Sequence, residues 1–274
     1  MEFAEFAQGP DAALDLCLGA LLIARDAYPN LVLEAERARL DALALPLATL
    51  GLAEREPREQ ARAIEYHLYG ELAFSGKNVD YSDPRASYLN SVLDARAGLP
   101  ILLALVYTEV AYRIGVSAVG VGFPGHYLVG IARDAANAPE LFIDPMSGRP
   151  LRRAELEDMW RRAGGTHAPL DERYLAPAGN RASLIRMLNN LRGAYALRGD
   201  FARLLVVLDR LICLDPAAWN ERRDRGLVAA RLGAPKAALE DLRAYLEAAP
   251  QAGDVAEVRR LVHELSGRGG GSAN

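Results

Sequence analysis

Two polar residues interrupt apolar runs in a way that could do chemistry. His126 follows Phe123-Pro124-Gly125, so it opens an extended segment directly after a tight turn. Asp144 ends another such segment, Phe142-Ile143-Asp144, just before the turn Pro145-Met146-Ser147-Gly148. If the two segments are neighbouring strands, the Asp144 carboxylate accepts a hydrogen bond from one imidazole nitrogen. That fixes the tautomer and leaves the other nitrogen for chemistry. A Cys or Ser at the start of a helix would complete a nucleophilic triad, because a helix N-terminus lowers a thiol pKa.

The elements that must hold these residues are read from periodicity and punctuation. Residues 10–75 read as helical. Tyr28-Pro29-Asn30 breaks the first helix, and Leu33 to Leu50 forms an amphipathic one that Pro46 kinks or ends. Pro57 opens a third, with Ile64, Leu68 and Leu72 on one face and a cap at Gly76. His67 lies beside that face with no partner in the local pattern. Residues 77–99 read as irregular, with a short helix over Ala86 to Ala95 that Asp83 is able to cap. Pro100 starts a helix that ends at Gly115, apolar all round over Ile101 to Val106, with Glu109 and Arg113 as an i,i+4 pair. Three short strands are predicted over 116–123, 126–132 and 140–144, forming an antiparallel sheet behind this helix.

After residue 152 the chain returns to helices, through a linker rich in Gly, Ala and Pro over 163–179. A repeat then appears: Leu214-Asp215-Pro216 recurs as Ala248-Ala249-Pro250, and Arg198-Gly199-Asp200 as Leu232-Gly233-Ala234. Both recurrences have the 34-residue period of tetratricopeptide (TPR) units, each a pair of helices with Gly at the internal turn. The expected fold class is α+β, with a helical N-terminal part and a small antiparallel sheet in the core, followed by all-α TPR-like repeats. The expected division is 1–165, 180–267 and a disordered tail over 268–274.

The 274 residues are 51% hydrophobic and 25% charged, with a net charge of −4. A mildly acidic chain has no electrostatic footprint for nucleic acid, so direct DNA or RNA binding is not expected. The longest apolar runs are too short to span a bilayer, and no signal peptide is evident; the expected location is cytoplasmic, with no membrane partner. Cys17 and Cys213 sit in apolar helical runs and read as core thiols. His67, His126, His167 and His263 are dispersed, with no ligand spacing, so neither a metal nor another cofactor is expected.

Tyr81-Ser-Asp-Pro84, Ser87-Tyr-Leu-Asn90, Val92-Leu93, Arg96-Ala-Gly-Leu-Pro-Ile101, Phe123-Pro-Gly-His-Tyr127 and Phe142-Ile-Asp-Pro145 occur in one order. With them, residues from about 15 to 267 resemble the bacterial SirB-type family, outlined as "regulator of sirC expression". That family has a transglutaminase-like (papain-like) segment followed by TPR segments. In transglutaminase-like enzymes a Gly-x-Cys opens the central helix. The resemblance aligns that motif with Gly98-Leu99-Pro100, so Pro100 takes the nucleophile's place. Proline has no nucleophilic atom and no N–H for an oxyanion.

His126 and Asp144 are then either a remnant dyad beside a binding pocket or a working pair without a thiol. Tyr88, Asn90, Arg96, Tyr127 and Ser147 are candidates to share the site, together with Pro100. Each has a structural alternative: Asn90 as a loop or cap ligand, Arg96 as a carboxylate partner, Tyr88 and Tyr127 as core aromatics. The expected function is a non-catalytic interaction or regulatory module that meets a protein or peptide partner through the TPR-like segment. The alternative is a hydrolase or acyl-transferase-type enzyme using His126 and Asp144.

Overall fold

Proline at the first position sets where several helices begin, because its missing N–H would have been unpaired there anyway. In the computed structural model, which describes residues 1–134, 136–164 and 168–269, Pro57, Pro100 and Pro235 each open an α-helix. The helices run α1 Phe3–Phe6, α2 Leu16–Ala27, α3 Leu33–Ala44, α4 Pro57–Glu65, α5 Leu89–Ala95, α6 Pro100–Arg113 and α7 Arg153–Gly164. They continue with α8 Asn180–Arg198, α9 Phe201–Leu214, α10 Trp219–Arg231, α11 Pro235–Ala248 and α12 Val255–Gly269. The chain divides into two compact units, one over residues 10–187 and one made of residues 1–9 and 188–274.

In the first unit, α6 is the apolar axis. Pro100 to Tyr107 are buried without interruption, as expected of a helix with no polar face over that length. It packs on α3 and on one face of a four-stranded antiparallel sheet, ordered β1 Ala118–Val121, β2 Leu128–Ile131, β3 Leu141–Ile143 and β4 Pro150–Leu151. The sheet is as predicted, with shorter strands and a fourth that two residues are too few to signal. The registers place Val121 opposite Leu128 and Val129 opposite Ile143. His126 therefore precedes β2 rather than opening it, and Asp144 lies one residue past β3.

The Ala163 to Gly179 stretch is more than a linker where it is described. It holds a short 3-10 turn, Glu172–Leu175, and Ala178 then donates its N–H to the Gly120 carbonyl at the edge of β1. Pro46 ends α3 as expected, into a 3-10 segment over Leu45–Leu50. The third helix is corrected: after Glu65 it widens into a π-helix over Tyr66–Glu71, with Leu72 N–H reaching the His67 carbonyl at 3.0 Å. It ends on Ala73 in the left-handed region, not on Gly76.

In the second unit the 34-residue period is visible as geometry. α9 and α11 start at Phe201 and Pro235 and end at Leu214 and Ala248, and Gly199 and Gly233 both adopt positive φ. α10 packs against α9 and α11, and α11 against α12. Asp241, only 3% exposed, is held by the Arg225 guanidinium through two bonds of 2.7 Å; Arg225 also reaches Asp209 at 2.7 Å. α12 runs to Gly269, and residues 270–274 of the expected tail lie outside the described residues.

Candidate functional site

Phe123-Pro124-Gly125-His126 is a turn closed by His126 N–H to the Phe123 carbonyl at 3.1 Å. Pro124 has its φ preset, and Gly125 takes φ +71, the third-position conformation that favours glycine. Phe123 is fully buried, so the turn is anchored at its first residue. Beyond β3, Asp144 closes a second turn: its carbonyl accepts from Ser147 and Gly148 N–H, and Gly148 takes φ +73.

These turns bring the two predicted residues together. His126 Nε2 and Asp144 Oδ1 are 3.0 Å apart. Asp144 Oδ1 also accepts from Met146 N–H at 3.0 Å, and Oδ2 accepts from the Ser147 hydroxyl at 3.0 Å. Burial alone would raise the Asp144 pKa; the His126, Met146 and Ser147 hydrogen bonds and the His126 ring outweigh it and hold the carboxyl below its ordinary value. With Nε2 on the carboxylate, Nδ1 is the nitrogen left for a ligand. The His126 side chain is 20% exposed, and it lines a shallow cavity of about 380 Å³ with Pro124, Gly125, Met159, Arg162 and Ala163.

Tyr127 points into different company. It is buried, and its hydroxyl meets the Ser183 hydroxyl at 2.7 Å. Its ring lies where a side chain at position 120 would be: a Cβ on Gly120 would sit 2.3 Å from the Tyr127 hydroxyl. Tyr127 thus takes the core-aromatic alternative.

Tyr88, Asn90 and Arg96 group around α5, and no hydrogen bond joins them to the His126–Asp144 pair among those described. Tyr88 is buried edge-on against the Tyr28 ring, with centroids 5.6 Å apart. Asn90 is 6% exposed, and its Oδ1 has no hydrogen-bond partner among the described residues. Among the described residues Arg96 pairs with no carboxylate, contrary to expectation: it takes φ +51, and its guanidinium donates to the Leu72 carbonyl at 3.0 Å. Pro100 is buried at the first turn of α6. A strap joins the two groups, since Ser75 N–H donates to the Arg96 carbonyl and Gly76 N–H to the Met146 carbonyl, both at 2.9 Å.

Four supporting residues have no signal in the α-helical or strand periodicity. Tyr69, in the π-helix, donates to the Pro145 carbonyl at 2.8 Å, and its ring fills the space where a Cβ on Gly148 would lie at 2.3 Å. Arg186, on α8, donates to the Phe123 carbonyl at 3.2 Å and the His126 carbonyl at 2.8 Å, clamping both ends of the His126 turn. Met146 and Arg162 are set by the turn and by α7. His67 is also corrected: it is buried with two partners, the Glu71 carboxylate and the Leu43 carbonyl, each at 2.9 Å. Among the described residues no group of three or more His, Cys, Asp or Glu is placed to hold a metal ion, and His167 lies outside them. Cys17 is buried and Cys213 half-buried; both thiols are free, and burial pushes Cys17 up to about 12.

Comparison with known proteins identifies the family. The transglutaminase-like superfamily matches residues 34–189, and a tetratricopeptide repeat family matches residues 191–263. A UPF0162 protein of Xylella fastidiosa is 39% identical over 266 residues, which cover 93% of this chain and 92% of that protein. Protein SirB1 of Salmonella typhimurium is 28% identical over 242 residues, covering 86% and 87%. A UPF0162 protein of Vibrio cholerae is 25% identical, covering 93% of both. No solved structure matches the chain. Among the described residues no helix is long and apolar enough to cross a membrane. The chain belongs to the transglutaminase-like superfamily and to the bacterial UPF0162 proteins, and it carries tetratricopeptide repeats after the transglutaminase-like segment.

Proposed function

We propose that this protein is a non-catalytic regulatory module of the cytoplasm. Its transglutaminase-like domain over residues 1–165 binds a peptide or small ligand beside His126, and its TPR segment over residues 180–267 docks a protein partner. One observation carries the reading: a buried proline, Pro100, stands at the first turn of α6, where the resemblance to thiol enzymes expects the nucleophile. Neither thiol supplies a substitute. Cys17, the second residue of α2, is fully buried with its pKa raised by that burial, and Cys213 belongs to α9. Proline gives no nucleophile and no oxyanion N–H.

The repeats support the docking half by analogy with other TPR arrays, which present extended surfaces to partners. Trp219, Leu227 and Leu197 are exposed apolar side chains there. The experiment is a pair of assays on the full chain. Acyl-donor substrates, amide and ester, are incubated with wild type and His126→Ala. Turnover that the substitution abolishes would overturn the non-catalytic reading. Capture from a lysate is compared for wild type and a Trp219→Asp/Leu227→Asp variant; identical partner sets would overturn docking through the repeats.

A second reading is favoured by the His126–Asp144 bond itself. The pair is formed, and His126 lines an open cavity. In a hydrolase or acyl-transferase, His126 would act as general base on water or a bound hydroxyl, with Asp144 holding the imidazolium.

A further inference from the structure

The cations around His126 are unevenly matched. Most arginines of the first unit with a described partner face a carboxylate, as in Arg113 with Glu109 and Asp41, Arg149 with Glu155, and Arg153 with Glu157 and Glu172. Arg162 and Arg186 do not. Among the described residues Arg162 donates to the Asp158 backbone carbonyl alone, at 3.2 Å, while the Asp158 carboxylate is taken by Arg161. Among the described residues Arg186 donates to the Phe123 and His126 carbonyls alone, and its guanidinium stands 5.5 Å over the Tyr127 ring. Among the described residues no carboxylate pairs with either. Burial pushes the Arg186 guanidinium down from its ordinary value, which marks a cation that has lost water without gaining an anion.

Both cations bear on one place. Arg162 lines the His126 cavity, and Arg186 is bonded to the carbonyl of its histidine. The Asp144 carboxylate is engaged by three donors, so it is not the counter-ion this surface lacks. Pro124, Met159 and Ala163 supply apolar walls. A planar guanidinium beside an imidazole ring and apolar walls matches a carboxylate on an apolar body: the fork takes both oxygens, and the walls take the apolar body.

The geometry points to a carboxylate-binding subsite over His126, with Arg162 as the recognition cation and Arg186 as the positioning residue that holds the His126 turn. The inference rests on reading this cavity as a ligand pocket of a non-catalytic domain. It goes further by naming the ligand's charged group. A peptide C-terminus and an acidic side chain both offer that group.

The test is a titration of the full chain, monitored through the His126 imidazole ¹⁵N signals, assigned by their loss in His126→Gln. The probes are phenylacetate and its neutral isostere phenylacetamide. Two dipeptide-sized probes separate the sources: acetyl-Ala-Leu with a free terminus, and acetyl-Glu-Leu-amide. Phenylacetate is expected to shift His126 saturably and phenylacetamide not to. Arg162→Gln should weaken the acid at least about tenfold, and Arg162→Lys should recover part of that loss. Equal responses to acid and amide, or an Arg162→Gln variant that binds as wild type does, would overturn the subsite. Arg162 is exposed, so these variants are expected to fold as wild type does; Arg162→Glu, which should abolish the acid response, is a second check. Turnover is measured in the same samples. Product formation would end the non-catalytic reading and leave the carboxylate selectivity standing, so the two failures are distinguishable.

Discussion

The Tyr69 hydroxyl donates to the Pro145 carbonyl at 2.8 Å, tying the π-helix to the turn that carries Asp144 across 76 residues of chain. Its hydroxyl faces protein, and burial raises its pKa far above the ordinary tyrosine value. Tyr69→Phe removes the donor and leaves the Pro145 carbonyl short of a partner. The expected cost is about 1–3 kcal/mol, read from urea denaturation, with a shifted His126 imidazole signal if the turn relaxes.

Gly148→Ala should be worse. The residue has φ +73, and the new Cβ would lie 2.3 Å from the Tyr69 ring. Left-handed strain and overpacking act together, for about 2–5 kcal/mol of destabilisation in the same assay. The Gly148→Ala/Tyr69→Ala double variant should show non-additivity, because it removes the clash while keeping the strain.

Acid stability should carry the signature of Asp144. Its folded pKa lies below the ordinary 3.8, so the native state binds this proton less readily than the unfolded chain. The contribution is fully present above the unfolded value and is lost as pH falls through the folded one. Wild type should therefore lose more stability than Asp144→Asn as pH falls from about 5 through the region below 3.8. Parallel urea midpoints for the two proteins over that range would contradict this.

Thiol chemistry should be slow in the folded protein. Burial raises the Cys17 pKa to about 12 and raises that of Cys213 as well. At pH 8 iodoacetamide should leave Cys17 unmodified in buffer and alkylate both cysteines in urea, as mass spectrometry of the digest would read. Rapid native labelling of Cys17 would show an open helix around it.

In the repeat unit, Arg225→Met leaves Asp241 buried without its main counter-charge, at an expected cost of about 3–5 kcal/mol. Replacing both partners, Arg225→Met with Asp241→Leu, should recover much of that loss, because an apolar pair of similar volume needs no desolvation. Thermal melts of the single and double variants check it.

How much of the molecule is legible in its sequence varies with the length scale of the signal. The repeats are readable because similar turn chemistry recurs 34 residues apart, and the helix boundaries fall at the same offset. The α6 axis is readable because Pro100 opens and Gly115 closes an apolar run too long for a typical strand. His126 and Asp144 stand out as polar residues at the ends of apolar strands, and strand adjacency does the rest. The supports are hidden. Arg186 reaches the His126 carbonyl from 60 residues away, and no local pattern encodes such a contact. His67 reads as partnerless because its bonds go to Glu71, in the π-helix, and to a backbone carbonyl in α3. Charge alone assigns Arg96 a carboxylate, whereas its left-handed backbone aims it at Leu72.

The π-helix over Tyr66–Glu71 has a consequence for how this protein can change over generations. A widened turn holds one more residue than an α-helix needs over the same rise, and it rotates every side chain after it by about 100° relative to the preceding α frame. The aim of Tyr69 at Pro145 is therefore encoded in the number of residues as much as in their kinds. Point substitutions at Tyr66 or Gly70 can come and go without moving that hydroxyl. Loss of any one codon between positions 66 and 71 would restore α register and swing Tyr69 off the turn, even with the aromatic ring retained. Lineages that use the Asp144 turn should thus be intolerant of length changes in this six-residue window while tolerating sequence drift at its exposed positions, Tyr66 and Gly70.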